Sequence, residues 1–191
     1  MNPKDLGPIR NITVSGRIGS GATTLARHLS EKLGWEFMDG GKIFREFTKD
    51  HGYAEGREDQ FDLDYEERIK TLLKNTSHQI IQSHLAGFDA QGIDGVFKIL
   101  LVCEDHDGSD KTDVRIDRVV NRDGASVEQA KHELKERERQ NLDKWRRLYA
   151  NNDDTWVYWD KKYYDLFINT YEQGQEESAR IVLDRIQNSS F

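Results

Sequence analysis

Apolar residues occur along the chain in short runs, which alternate with longer segments of helical periodicity. Such runs are typical of strands that are buried on both faces of a parallel sheet. They predict strands at residues 12–15, 35–38, 79–81, 97–103 and 165–168. Leu25, Leu29 and Leu33 recur at four-residue spacing, which predicts a helix over residues 23–33. Similar patterns predict further helices at residues 41–49, 64–74, 113–121, 127–148 and 176–186.

The alternation of strands and helices predicts an α/β fold, with a five-stranded parallel sheet and right-handed crossovers. Ligands of such sheets bind at the carboxyl ends of the strands. Ser126 and Gln129 are spaced as a capping box at the start of the helix over residues 127–148. The segment from about 104 to 150 is too polar to cover the sheet, so we interpret it as a helical lid over the site.

A glycine-rich segment follows the first predicted strand and opens the first predicted helix. Glycine at positions 16, 19 and 21 lets successive backbone amides point inward, and the helix dipole adds positive potential. This order is typical of a phosphate-binding P-loop in a three-layer αβα fold. The alternative is a tight strand-to-helix turn without a ligand. The candidate ATP phosphate contacts are Gly16, Arg17, Ile18, Gly19, Ser20, Gly21, Ala22, Thr23 and Thr24, with the Thr23 hydroxyl as the candidate ligand of Mg²⁺.

The P-loop pattern has lysine at the position of Ala22. Losing one charge-assisted hydrogen bond costs about 1.5–3 kcal/mol, or about 2.7–4 kcal/mol where it stabilises transition-state charge. Because enzymes accelerate reactions by at least about 10⁶-fold, this loss weakens catalysis without excluding it. Arg17 is the nearest candidate for a compensating cation, and the alternative is an Arg17 side chain in solvent.

Arginines concentrate between residues 115 and 147. Arg115, Arg118 and Arg122 share one stripe of a predicted helix, and Arg137 and Arg139 follow on the next helix. Planar guanidinium groups suit the charge that spreads over a phosphoryl group in transfer. The alternative is a solvated, salt-bridged face, because aspartates lie between these arginines. Downstream of a phosphate loop, the clamp is the interpretation we favour.

Composition limits the partners of the chain. Its 191 residues fit a single domain, and its net charge of −7 argues against binding a nucleic acid polymer. The single cysteine excludes a disulfide framework. No apolar run is long enough to indicate a membrane span or a signal peptide. We therefore expect a cytoplasmic protein, and a monomer rather than an oligomer.

Several segments together resemble the short cytidylate kinases that are common in archaea and some bacteria. The resemblance spans residues 12–170. Besides the glycine loop, the segments that carry it are residues 38–45 (MDGGKIFR), 85–88 (LAGF), 113–124 (DVRIDRVVNRDG), 136–138 (ERE), 145–149 (WRRLY) and 164–170 (YDLFINT).

The resemblance implies a reaction in which Mg-ATP phosphorylates a pyrimidine nucleoside monophosphate, converting CMP or dCMP to the diphosphate. It implies an acceptor-binding insertion at about 40–75 and a lid at about 104–150 within one domain. Gly41, Arg45, Asp64 and His84 would contact the acceptor, with Arg45 on its phosphate and Asp64 near the cytosine. The implied lid arginines are Arg115, Arg118, Arg122 and Arg137.

The chain departs from the family pattern at positions that bear on activity. Ala22 replaces lysine, Gln82 and His84 replace a glutamate and an arginine after the third strand, and Lys42 replaces an acidic residue. A neutral histidine is a weaker partner for a phosphate than arginine is. Two alternatives to the cytidylate kinase therefore stand: a nucleotide-binding homologue with little or no turnover, and a kinase for another small phosphate acceptor.

Overall fold

The fold was analysed in a computed structural model, which describes residues 2–40, 42, 59–124 and 126–188 apart from the side chains of Asp123 and Glu133. The strands are β1 (Asn11–Gly16), β2 (Glu36–Asp39), β3 (Gln79–Gln82), β4 (Val96–Val102) and β5 (Leu166–Asn169). The helices are α1 (Ala22–Leu33), α2 (Asp59–Asn75), α3 (Ala86–Asp89), α4 (Thr112–Asp123), α5 (Val127–Tyr149) and α6 (Gln175–Asn188).

The five strands form one parallel sheet in the order β2-β3-β1-β4-β5. Apolar side chains of α1 and α6 cover one face, where Leu29 and Val182 pack with Ile12 of β1. Helices α2 and α3 cover the other face, where Ile69 and Ala86 pack with Ile81 of β3. This arrangement confirms the αβα fold predicted from the sequence.

The predicted strands all form, with ends that shift by at most one residue. Helix α2 begins at Asp59, five residues before the predicted start. The apolar pattern did not indicate this start, because the first turn of the helix is polar. The helix predicted over residues 41–49 lies almost entirely outside the described residues. The predicted capping box is present, since Ser126 Oγ accepts a hydrogen bond from the Gln129 amide and the Gln129 side chain accepts one from the Ser126 amide.

Helices α4 and α5, called here the α4–α5 pair, pack on one another beside the glycine loop. Their small apolar core contains Ile116 and Leu134, and Ile18 of the loop is buried in it. Farther along α5, Trp145 packs in an aromatic cluster with Leu85 and Tyr158. The pair is therefore attached to the rest of the fold by apolar contacts at two places. Among the described residues, no helix combines the length and the apolar character needed to cross a membrane.

Candidate active site

The carboxyl ends of β1, β2 and β3 open into a cleft of about 1630 Å³. The glycine loop forms its floor, and the α4–α5 pair and α2 contribute walls. Of the residues proposed from the sequence, those that line this cleft are Gly16, Arg17, Ile18, Gly19, Ser20, Gly21, Ala22, Thr23, Thr24, His84, Arg118, Arg122 and Arg137. Residues distant in sequence therefore meet at one site.

The glycine loop has the backbone conformation that phosphate binding requires. Gly19 and Gly21 have positive φ angles of 78° and 95°, which residues with a side chain rarely adopt. A Cβ atom on Gly19 would lie 2.5 Å from the carbonyl oxygen of Arg115, so glycine also permits the close approach of α4. Helix α1 starts at Ala22, directly after the loop, and its amino end faces the cleft. This is the geometry of an anion site at a helix N-terminus.

Ala22 occupies the position at which the P-loop pattern has lysine. Only 6% of the residue is exposed, and it packs with Leu25 in the apolar core while also lining the cleft. At this position the loop therefore contributes a methyl group and a backbone amide but no positive charge.

Arg17 does not replace the missing lysine, and it does not extend into solvent either. Its guanidinium group lies 2.6 Å from Glu138 Oε2 and 3.0 Å from Asp110 Oδ1, and it covers the ring of Trp159 at 4.5 Å. Two carboxylates thus neutralise its charge. In this structure Arg17 joins the loop to α5 through these ion pairs, and its part in phosphate binding stays a prediction.

Arg115 is also placed differently from the sequence prediction. The residue is 1% exposed and does not line the cleft. It donates hydrogen bonds to the Ile18 carbonyl at 2.7 Å, to Glu138 at 2.7 Å and to Asp110 at 2.9 Å. Burial acts to lower the pKa of Arg115, but these carboxylates outweigh burial and raise it. In this structure Arg115 is a buried ion-pair partner rather than a phosphate clamp.

Arg118 of α4 also reaches the loop backbone, and unlike Arg115 it lines the cleft. It donates hydrogen bonds to Thr170 Oγ1 at 2.9 Å, to the Thr170 carbonyl at 2.7 Å and to the Gly19 carbonyl at 3.3 Å. Within the described part of the chain its hydrogen-bond acceptors are all uncharged. Arg118 therefore brings an uncompensated positive charge to the edge of the phosphate loop.

The remaining arginines of the predicted clamp divide into two groups. Arg122 and Arg137 are exposed and line the cleft. Arg139 does not line it, and instead pairs with Glu136 and Asp143 on its own helix. The solvated, salt-bridged alternative is therefore correct for Arg139, because its side chain points away from the cleft.

The wall formed by α2 carries different carboxylates from the one proposed. Asp64 is exposed, accepts a hydrogen bond from Gln60 and does not line the cleft. Asp62 and Glu66, which lie on another side of α2, do line it. Asp62 is paired with Lys144 of α5. The structure therefore does not bring Asp64 into the cleft, and Gly41 and Arg45 fall outside the described residues.

Glu66 belongs to a pair of buried carboxyl groups at the base of this wall. Burial raises the pKa of Glu66 well above its usual range, and the neighbouring Asp89 raises it further. Burial raises the pKa of Asp89 as well. The nearest cation is Lys70, whose Nζ lies 3.7 Å from Asp89 Oδ1. Two acidic groups close together in a dry environment disfavour the presence of two negative charges.

His84 lines the cleft at the position where the family pattern has arginine. Its Nδ1 atom lies 2.9 Å from the Gly16 carbonyl oxygen, so Nδ1 carries the proton and donates it. Burial lowers the pKa of His84, and this outweighs the hydrogen bond to Gly16, which raises it. The imidazole is therefore neutral at pH 7 and adds no charge for an anionic acceptor.

The oxygen atoms beside the loop suit a hard cation such as Mg²⁺. Thr23 Oγ1 donates a hydrogen bond to Gln82 Oε1 at 3.1 Å, at the end of β3. Asp39 ends the adjacent strand β2 and lines the same cleft. Hydroxyl, amide and carboxylate oxygens are the ligands that Mg²⁺ prefers. The donor set therefore fits the metal that accompanies ATP.

Sequence reasoning missed several residues of the cleft, among them Asp39, Asp62, Glu66, Gln140, Asn141, Lys144, Trp145 and Thr170. A signal was present for the carboxylates of α2. Asp62 and Glu66 are spaced i and i+4 on the stripe that continues through Ile69 and Leu73, and acidic residues on an apolar stripe indicate a special environment.

Comparisons with known proteins identify the family of this chain. The family model described as an AAA domain matches residues 12–141. The cytidylate kinase of Methanopyrus kandleri is 33% identical, over 90% of this chain and 90% of that protein. The cytidylate kinase of Natronomonas pharaonis is 32% identical, over 93% of this chain and 89% of that protein. The solved structure of shikimate kinase from Acinetobacter baumannii has the same fold, with a TM-score of 0.55 and 18% identity over 96% of both chains. With the phosphate loop, the cleft and these similarities taken together, the chain belongs to the cytidylate kinase family of P-loop nucleotide kinases.

Proposed function

We propose that this protein transfers the γ-phosphoryl group of Mg-ATP to CMP or dCMP, forming ADP and the cytidine diphosphate. The observation that carries the proposal is the position of Arg118, an arginine with uncharged partners at the edge of the glycine loop. A cation there faces the phosphates that the loop amides bind. The similarity to cytidylate kinases supports the choice of acceptor.

On the ATP side, the loop amides and the amino end of α1 bind the polyphosphate. Arg118 at the edge of the loop, together with Arg122 and Arg137 of the α4–α5 pair, neutralises charge as the phosphoryl group moves. Phosphoryl transfer needs little covalent chemistry from the protein, since positioning and charge stabilisation do most of the work. Arg118 thereby takes over part of the role that lysine has in the P-loop pattern.

On the acceptor side, the nucleoside monophosphate lies between α2 and α5. The segment at about 40–75 is the acceptor-binding insertion, and Arg45 within it holds the acceptor phosphate. Asp62, Glu66 and Lys144 offer hydrogen bonds to the nucleoside. The segment at about 104–150, which contains the α4–α5 pair, is the lid of this domain.

Mg²⁺, when bound with ATP, offsets phosphate charge and helps to align the β- and γ-phosphates. The residues that would hold it are Thr23 and its oxygen-bearing neighbours at the ends of β2 and β3.

A nucleotide assay across acceptors tests the proposal. Purified protein is incubated with Mg-ATP and one acceptor at a time, chosen from CMP, dCMP, UMP and AMP. ADP should form fastest with CMP or dCMP. Chromatography should show one molecule of cytidine diphosphate for each ADP. Arg118→Met should lower kcat by about 100- to 1000-fold. Arg139→Met is the matched control, because that side chain pairs on the outer face of α5. An absence of acceptor-dependent ADP above a protein-free blank would refute the kinase.

A second candidate is a nucleotide-binding protein without turnover. It is favoured by the methyl group of Ala22 where lysine is expected and by the neutral imidazole of His84 at the acceptor end. Titration calorimetry combined with the nucleotide assay distinguishes this candidate from the kinase. A binding protein without turnover should bind ATP in the calorimeter but form no ADP above the protein-free blank with any acceptor.

A further inference from the structure

The ends of β2 and β3 place two polar side chains next to each other. Asp39 and Gln82 are register partners, and each is the last residue of its strand. Adjacent strands lie about 4.8 Å apart, and register partners project from the same face of a sheet. The direction of one side chain therefore fixes the direction of the other.

That shared face is the one covered by α1. Gln82 contacts Thr23 in the first turn of α1, so its side chain points to this face. Phe37, two residues before Asp39, has Arg27 of α1 over its ring at 5.7 Å. Residues two apart on a strand share a face. Two independent contacts thus place Asp39 on the α1 face, beside Gln82 and Thr23.

We propose that Asp39 supplies the carboxylate that binds the nucleotide's Mg²⁺, directly or through a bound water, in place of the glutamate that the family pattern has at position 82. The inference rests on the proposed function, since the metal arrives with ATP. Mg²⁺ is usually held by one or two carboxylates together with substrate phosphates. Thr23 and Gln82 provide neutral oxygens only, so the site needs an acidic group from a neighbouring strand.

The other carboxylates that line the described cleft are unsuited to this role. Asp62 and Glu66 lie on α2, which packs on the opposite face of the sheet. Asp62 is paired with Lys144, and burial together with the neighbouring Asp89 raises the pKa of Glu66 well above its usual range. Glu172 follows β5, at the far edge of the sheet from β2 and β3. Asp39 is the carboxylate whose strand and face coincide with those of Thr23 and Gln82.

The test measures metal binding rather than turnover. Mn²⁺ is titrated into the protein with the non-hydrolysable β,γ-imido analogue of ATP, and free Mn²⁺ is followed by electron paramagnetic resonance. Asp39→Asn should weaken Mn²⁺ binding in this complex by about 10- to 100-fold. Restoring a carboxylate one strand away, in Asp39→Asn with Gln82→Glu, should recover most of the loss. Asp154→Asn, in an exposed loop, is the matched control and should bind Mn²⁺ as the unaltered protein does.

Two results would overturn the inference. One is Mn²⁺ binding by Asp39→Asn within twofold of the unaltered protein. The other is a loss of affinity for the ATP analogue in Asp39→Asn that is equally large when EDTA has removed the metal. Asp39 would then act on the nucleotide or on the fold rather than on the metal. If Asp39→Asn fails to fold, Gln82→Glu alone provides a second measurement. The added carboxylate beside Asp39 should tighten Mn²⁺ binding, and unchanged binding would contradict the site. If the protein transfers phosphate to CMP or dCMP but Asp39→Asn does not change Mn²⁺ binding, only this inference is refuted. If Mn²⁺ binding depends on Asp39 but no phosphate is transferred to any acceptor, only the proposed function is refuted.

Discussion

Replacing Glu138 by alanine removes the carboxylate that two arginines share. Glu138 is 8% exposed and binds Arg17 of the glycine loop and Arg115 of α4. After the change, Arg115 keeps its bonds to Asp110 and to the Ile18 carbonyl, and Arg17 keeps Asp110. Arg115 then remains buried and Arg17 half-buried, and the carboxylate of Asp110 is the anion that both of them share.

The magnitude follows from this loss of compensation. Removing one partner of a buried ion pair costs about 3–5 kcal/mol of unfolding free energy. Because Asp110 still compensates part of the charge, we expect the lower end, about 3 kcal/mol. For a domain of this size, that corresponds to a fall in Tm of about 6–12 °C.

The assay is thermal and urea unfolding followed by circular dichroism. Glu136→Ala is the matched control, since Glu136 lies two residues earlier on α5 and pairs with Arg139 at the surface. Its Tm should change by about 2 °C or less, because exposed pairs contribute little. A Glu138→Ala protein that melts within about 2 °C of the control would refute the view that this carboxylate joins loop and helix.

Further predictions concern the loop and the buried titrating groups. Ala22→Lys should raise kcat by about tenfold to a hundredfold if phosphate charge limits transfer, and steady-state kinetics that stay flat would contradict this. Burial lowers the pKa of His84 from 6.5, so below that pH the unfolded chain binds a proton that the folded chain does not, and stability falls as the pH drops. His84→Gln should flatten this decline in urea midpoints between about pH 7.5 and 5.5, and parallel profiles would contradict it. Burial raises the pKa of Glu66 above 4.5, so the folded chain retains a proton that the unfolded chain releases, and stability falls as the pH rises. Glu66→Gln should therefore gain stability relative to the unaltered protein between about pH 5 and 7, and a constant difference would contradict the raised pKa.

The sequence was sufficient to predict the succession of strands and helices along the chain and the position of the glycine loop. Strand runs and helix periodicity are local, and the loop needs glycine at fixed positions such as Gly19 and Gly21, so both can be inferred without knowing distant contacts.

The roles of individual arginines were not accessible in the same way. Helical periodicity places Arg115 and Arg118 on one stripe, but it does not give their depth. Arg115 is buried because Glu138, 23 residues away, and Asp110 converge on it, whereas Arg118 meets the carbonyls of the loop. The position of Asp62 was missed for a related reason, since α2 begins at Asp59 and its register turns Asp62 toward α5.

The way α5 is held has a consequence for how ligands enter and leave. Apolar contacts through Ile18 and Trp145 hold it to the rest of the fold, and such contacts persist when salt is added. Its connection to α2 instead includes the charged pair between Arg147 and Asp59, which solvent reaches. Dissolved ions shield exposed charges from each other. Rising ionic strength should therefore weaken the contact between α2 and α5 and speed the exchange of ligands through this entrance, while the apolar contacts of Ile18 and Trp145 persist.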